Sequence, residues 1–319
     1  MYFPIADIEI NPWIPPLVAF VISFFTSMGG VSGAFLILPF QVSFLGFSTP
    51  AVSATNQLFN IVAIPSGVYR YIKEGRMVWP LTWAVIAGTL PGVIIGAILR
   101  IHYLPNPKNF KAFAGLVLLY IAARLIRDLL KKRQSNGHQM PTEEQLQKTV
   151  KKYYESNESG NASGQTQIPR IIVKKFDMSR IIYEFHGQSF DVSVMGIMLL
   201  SLFVGIIGGI YGIGGGAIIA PFFVSFLGLP VYTVAGAALM GTFVTSVAGV
   251  LFYQAIAPFY PDMAVAPDWV LGFLFGAGGF AGMYCGARLQ KFVPAGLIKL
   301  ILVFCILFPA INYISASIR

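Results

Sequence analysis

The polar positions of this chain are bunched, and long apolar runs lie between them. No Asp, Glu, Lys or Arg occurs between Glu9 and Arg70, or between Asp191 and Asp262. A helix needs about 20 apolar residues to cross a hydrocarbon core of about 30 Å. Runs of that length fall at residues 50–71, 79–99 and 110–130, and again at 231–254, 269–289 and 299–317. Ahead of each triplet lies a longer apolar stretch, residues 16–47 and 192–229, interrupted in its middle by glycine. Soluble proteins do not expose contiguous apolar surface of this extent. In lipid the burden is reversed, because there a charge is what is costly. The pattern predicts an all-α polytopic membrane protein, whose principal surroundings are the lipid bilayer.

The two triplets are copies. A shift of 182 positions brings Gly30 onto Gly212, Gly33 onto Gly215 and Pro39-Phe40 onto Pro221-Phe222. The same shift matches the five residues 42–46 (VSFLG) with 224–228, Gly67-Val68 with Gly249-Val250, and Tyr71 with Tyr253. A shift of 190 then aligns Trp79 with Trp269, and Gly88, Gly92 and Gly96 with Gly278, Gly282 and Gly286. Shared membrane composition does not produce five consecutive identities in a constant register. The chain therefore divides into a first membrane repeat (1–130), an insert (131–190) and a second membrane repeat (191–319).

The insert is soluble in composition. Residues 142–156 carry helix formers with acids in the first turn, and 158–167 form a Gly/Ser/Asn linker. Three β-branched and aromatic runs, 168–176, 179–185 and 187–194, predict a small β-meander, so the insert reads as α+β. Asn161-Ala162-Ser163 fits a glycosylation sequon that a cytoplasmic loop would leave unused. Of the 22 Lys and Arg, 12 lie between Arg124 and Arg180. That clustering fits a cytoplasmic loop better than a nucleic-acid stripe, so the net charge of +9 implies no nucleic-acid partner. The N-terminal 13 residues hold no Lys or Arg, unlike a cleavable signal peptide.

Loop charge also bears on topology. Arg70, Lys73 and Arg76, the insert, and Arg288 with Lys291 belong inside, while residues 255–268, with acids and no base, belong outside. These assignments agree if the glycine-broken stretch of each repeat is a re-entrant hairpin. Each repeat then crosses three times, the repeats are inverted, and the N-terminus lies outside. The loop holding Arg100, His102, Lys108 and Lys111 runs against the rule, because it falls outside.

The chemistry is expected at the glycine clusters, Gly29-Gly30-Val31-Ser32-Gly33 and residues 208–216 (GGIYGIGGG). Irregular backbone at membrane depth is tolerated only where it is buried in protein or lines a cavity. After each cluster a new helix should start, near Ala34 and Ala217, with free N–H groups and the positive end of its dipole. Two such ends meeting near the midplane would hold an anion without any Lys or Arg, as in broken-helix transporters. The candidate residues are Gly30, Ser32, Gly33, Ala34, Gly212, Gly214, Gly215, Gly216 and Ala217. The following helix of each repeat adds Asn56, Gln57 and Asn60, or Thr242, Thr245 and Ser246. Asn56 and Asn60 are four apart and share a face, with Ser53 and Gln57 on an adjacent one. Helix-to-helix polar glue is the competing use of these residues. The pairs Gly92/Gly96 and Gly282/Gly286 instead read as close helix packing.

Enzyme readings find no support. No His or carboxylate lies within a membrane segment for acid–base work, and no nucleophile triad, Walker loop or metal motif appears. Cys285 and Cys305 read as small buried hydrophobes. No cofactor is implied. With no embedded acids, proton coupling would have to travel with the substrate or use the insert.

On these residues, the GGVSG and GGIYGIGGG clusters each leading through Pro39 or Pro221 into VSFLG, the sequence resembles the TauE/SafE family of sulfite exporters. The resemblance covers residues 16–130 and 191–319. It implies a secondary transporter that moves a small anion such as sulfite, sulfoacetate or another organosulfur anion, mostly outward, across a bacterial inner membrane. The long insert exceeds the short linker of many members. Two other readings use the same features: a membrane anchor or partner subunit acting through the insert, and a passive anion channel. No feature of the chain fixes an oligomeric state.

Overall fold

The computed structural model describes residues 1–28, 32–73, 75, 77–134, 171–185, 188–216, 218–289 and 295–318. A two-stranded N-terminal hairpin, β1 (Tyr2–Phe3) and β2 (Ile8–Glu9), precedes α1 (Ile14–Met28) and α2 (Ala34–Ser43). Next come α3 (Ala51–Ala63), α4 (Pro65–Lys73), α5 (Trp79–His102) and α6 (Pro107–Gln134). The three-stranded sheet β3 (Ile172–Phe176), β4 (Arg180–Phe185) and β5 (Gln188–Ser193) follows. The second half contains α7 (Val194–Tyr211), α8 (Ile219–Phe226), α9 (Val231–Ile256), α10 (Trp269–Leu289) and α11 (Ala295–Ile318).

The protein is a helical integral membrane protein. Among the described residues, four helices are long and apolar enough to cross a bilayer: Trp79–His102, Val194–Tyr211, Thr233–Phe259 and Trp269–Gly286. Where the helices depart from expectation, proline or glycine is the cause. The run 50–71 is divided at Ile64, because Pro65 has no N–H to continue the ladder. The helix expected near Ala217 begins at Ile219, whose N–H is bonded to Gly216 O at 3.1 Å. His102 ends α5 rather than lying in a loop. Cys285 is half-buried and Cys305 exposed, so neither is the fully buried hydrophobe expected. The N-terminal hairpin has no counterpart in the sequence reading.

In the bundle α1 lies along α10, α5 along α7 and α6 along α11, with α3 between α9 and α10. Glycine rows set the two closest approaches. A Cβ on Gly88, Gly92 or Gly96 would collide with the carbonyl oxygens of Met198, Leu202 and Ile206 on α7. A Cβ on Gly278, Gly282 or Gly286 would collide with those of Pro16, Phe20 and Phe24 on α1. With no hydrophobic drive between helices in lipid, such backbone approach is how they adhere.

At one end of the bundle, Ala6 N donates to Asp268 Oδ2 (3.4 Å), Ala51 N to Ala264 O (3.0 Å) and Asp268 N to Thr55 Oγ1 (2.9 Å). His102 Nε2 and Tyr260 Oη meet there at 3.0 Å. At the start of α9 the sheet docks through Tyr183 Oη and Thr233 Oγ1, 3.0 Å apart. The predicted meander is present and antiparallel, with Tyr183 opposite Phe190. Its period-two alternation buries Ile181, Tyr183 and Phe185, and that burial pushes the Tyr183 phenol up to about 12. Strand β5 runs directly into α7, whose first turn is capped by Ser193 Oγ accepting from Gly196 N. The predicted helix at 142–156, the linker and the sequon lie outside the described residues.

Gly92→Val and Gly282→Val should each destabilise the fold by about 1–3 kcal/mol through overpacking. Gly196→Ala, whose nearest neighbour would be 3.6 Å away, should be neutral. Thermal midpoints in detergent check this; three equal midpoints would refute the packing account.

Candidate functional site

The two glycine breaks are drawn together by one helix, α3. Both breaks release backbone carbonyls into an apolar interior, where an unpaired polar group is costly. The side chains of α3 meet that demand. Asn56 Nδ2 donates to Ala34 O and to Gly212 O, each at 3.0 Å, and so joins the first break to the second. One turn on, Asn60 Nδ2 donates to Ile213 O (2.9 Å) and to Ser246 Oγ (3.4 Å). One turn back, Ser53 Oγ donates to Ile210 O (3.1 Å). The amide oxygens are used as well: Asn60 Oδ1 accepts from Ser32 Oγ at 2.7 Å, and Asn56 Oδ1 from Gln41 Nε2 at 3.4 Å. Ser32 Oγ in turn accepts from Ala34 N, at the start of α2.

A further tie follows from Pro39. Proline inside α2 cannot donate to the carbonyl four residues back, which leaves Phe35 O open. The Tyr211 hydroxyl, from the second glycine cluster, donates to it at 2.9 Å.

The second break turns through Gly212 (φ +83°) and Gly214 (φ +76°), a backbone region that disfavours a side chain. A Cβ at Gly214 would lie 2.7 Å from Ser246 Oγ and 2.9 Å from Thr242 Cγ2, so the turn sits against α9. Gly215 N donates to Thr245 Oγ1 at 3.0 Å. The N–H groups of Gly214 and Gly216 donate to no described residue. Thr242 and Thr245 return their own hydroxyls to Ala238 O and Gly241 O.

Of the residues singled out by sequence, Ser32, Ala34, Asn56, Asn60, Gly212 and Ser246 join one hydrogen-bonded chain. Gly214, Gly215, Gly216, Thr242 and Thr245 adjoin it. Gly33 precedes α2, where a Cβ would meet Ser23 Oγ at 2.8 Å. Gly30 and Ala217 lie outside the described residues. Gln57 is set apart: it is fully buried against Gly249 of α9, and neither atom of its amide has a hydrogen-bond partner. Sequence reasoning missed Ser23, Gln41 and Tyr211. Gln41 is the only amide in α2 and Ser23 faces the first break; an isolated polar residue in an apolar helix was the available signal. None of the hydrogen-bonded side chains is an acid, Lys, Arg or His, so any anion held here would rest on dipoles alone.

Asn56→Leu should cost about 1–3 kcal/mol for each carbonyl it strands, lowering the thermal midpoint clearly. Gln57→Met, which removes only unpaired polar atoms, should leave the midpoint unchanged or raise it. Equal losses would contradict the hydrogen-bond assignment.

A family model described as "Sulfite exporter TauE/SafE" matches residues 16–313. No curated protein and no solved structure matches the chain.

Proposed function

This chain belongs to the TauE/SafE sulfite exporter family, a family of membrane transporters and not of enzymes, and from that premise we propose how it handles its anion. The substrate is sulfite or a small organosulfonate such as sulfoacetate. It is held where the two glycine breaks meet, and exported by alternating access between two inverted repeats. The observation that carries this reading is Gln57, next to Asn56 on α3, a fully buried amide with no partner among the described residues. A folded core seldom keeps such a group. Its donor suits an oxyanion, together with the N–H groups of Gly214 and Gly216 and the Ser246 hydroxyl, while Thr242 and Thr245, whose hydroxyls donate to Ala238 O and Gly241 O, line the site.

The repeat itself is supported by the packing. The carbonyls that receive the two glycine rows, at 16, 20, 24 and at 198, 202, 206, differ by the same 182 positions as the sequence copies. The pair α1·α10 corresponds to α7·α5, as a two-fold exchange of halves requires. Re-entrance is supported by the loops. The segments flanking α1–α2 gather at the Asp268 end of the bundle, and those flanking α7–α8 gather at the sheet. In this reading the 131–190 insert faces the cytoplasm and the membrane is a bacterial inner membrane. Any proton that accompanies the anion is carried by the anion itself.

The test is sulfite efflux from proteoliposomes under nitrogen. Gln57→Met should lower flux at least about tenfold, the usual loss for one transferred hydrogen bond of about 1.4 kcal/mol or more, while the protein stays as stable as wild type. Wild-type flux through Gln57→Met would remove the site assignment, and absence of saturable sulfite flux in the wild type would remove the substrate.

A further inference from the structure

Arg100 is a feature that the central site does not use. It closes α5 and is 0% exposed, in a helix otherwise free of charge until His102. Its guanidinium donates to Leu104 O and, at 2.9 Å, to Ser48 O, and it lies 3.8 Å above the Phe110 ring. Among the described residues it has no carboxylate partner, and its Nε has no hydrogen-bond partner at all. The buried hydroxyl of Thr49, adjoining Ser48, is likewise unpartnered. A guanidinium kept only to tie loops together would be cheaper as a neutral donor, since a buried charge with no counter-charge is strongly penalised.

The surroundings continue in both directions. Toward the surface, an open basin of about 330 Å³ is lined by Asn106, Pro107, Lys108 and Lys111. Lys108 is exposed and Lys111 half-buried. Toward the interior, Ser48 and Thr49 lead into α3, whose Ser53, Asn56, Gln57 and Asn60 run down to the glycine breaks. Tyr253 lines this route, packed with Ile101 and Ala54 and close enough to Arg100 to interact electrostatically.

We propose that Arg100 and Thr49 form a second anion site, a staging point for a sulfur oxyanion between the lysine basin and the amide site. This inference rests on the transport reading above. The two terminal nitrogens hold Leu104 O and Ser48 O, so the guanidinium offers such an anion its charge and its unpartnered Nε–H, and the Thr49 hydroxyl supplies a second donor. Low-dielectric walls focus the field of Lys108, Lys111 and Arg100 on that route and concentrate anions there. The basic loop that runs against the charge rule thereby has a function unrelated to topology.

The experiment is sulfite flux in proteoliposomes against sulfite concentration and ionic strength, for wild type, Arg100→Met, Arg100→Lys and Thr49→Val, with Gln57→Met as reference. With sulfite offered from the Lys108 face of the protein, Arg100→Met should raise KM and lower subsaturating flux about tenfold or more, with a flatter salt dependence. Arg100→Lys should recover part of the loss. Thr49→Val, which leaves the Ser48 contact in place, should raise KM at an unchanged thermal midpoint. A merely structural arginine predicts a lower midpoint with KM and salt dependence unchanged, and a silent Thr49→Val; that result overturns the staging site. Should Arg100→Met fail to fold, the other two variants decide by the same KM criterion. Flux lost in Gln57→Met but normal KM in the Arg100 and Thr49 variants sinks the staging site alone. Normal flux in all of them sinks the central site as well.

Discussion

A backbone that unwinds inside a bilayer must find partners for the carbonyls it frees, because lipid offers none. In this protein the Asn56 amide ties both halves together, giving one N–H to Gly212 O in the second break and the other to Ala34 O in the first turn of α2. Asn60, Ser53 and Tyr211 repeat the arrangement at Ile213 O, Ile210 O and Phe35 O. Each of these bonds crosses from one element to a break in another. Helix α3 therefore fixes the depth and the separation of the breaks. If these ties were lost, the two glycine turns would have no reason to face one another.

The glycine rows do the complementary work. Carbonyls of α1 and α7 sit where the Cβ atoms of larger residues on α10 and α5 would be. That closeness brings the end of each broken helix against the partner half, within reach of α3 and α9. Packing and hydrogen bonding are thus coupled: the small residues allow the approach, and the amides give it a single register. Such an interface is built of van der Waals contact and short polar ties.

Much of this was legible in the sequence, and the parts that were not have physical causes. The glycine clusters, the 182-residue offset, the meander and the shared face of Asn56 and Asn60 all follow from local pattern. The joint at Ile64 was missed because Pro65 lies within a run that is apolar on both sides. The helix expected to start near Ala217, directly after the glycine cluster, starts at Ile219. The partners of Asn56 and Asn60 were expected to be a ligand and are backbone carbonyls, a distinction that depends on atoms 22 to 156 positions away. Gln57, one position from Asn56, carries the opposite condition. No periodicity separates a satisfied amide from an orphaned one.

The allocation of charge completes the picture. Among the described residues the buried cation is Arg100, at a helix end, while the hydrogen-bonded core around the breaks is neutral. A transporter must bind firmly enough to take its substrate and loosely enough to release it. A guanidinium at the centre would hold a divalent oxyanion in a low dielectric and slow its departure. In the proposed export, the guanidinium at the outer rim receives the anion after the neutral amides and N–H groups have released it, and the lysine basin leads it to solution. In that reading, binding and discharge are assigned to different chemistry at different depths of the bundle.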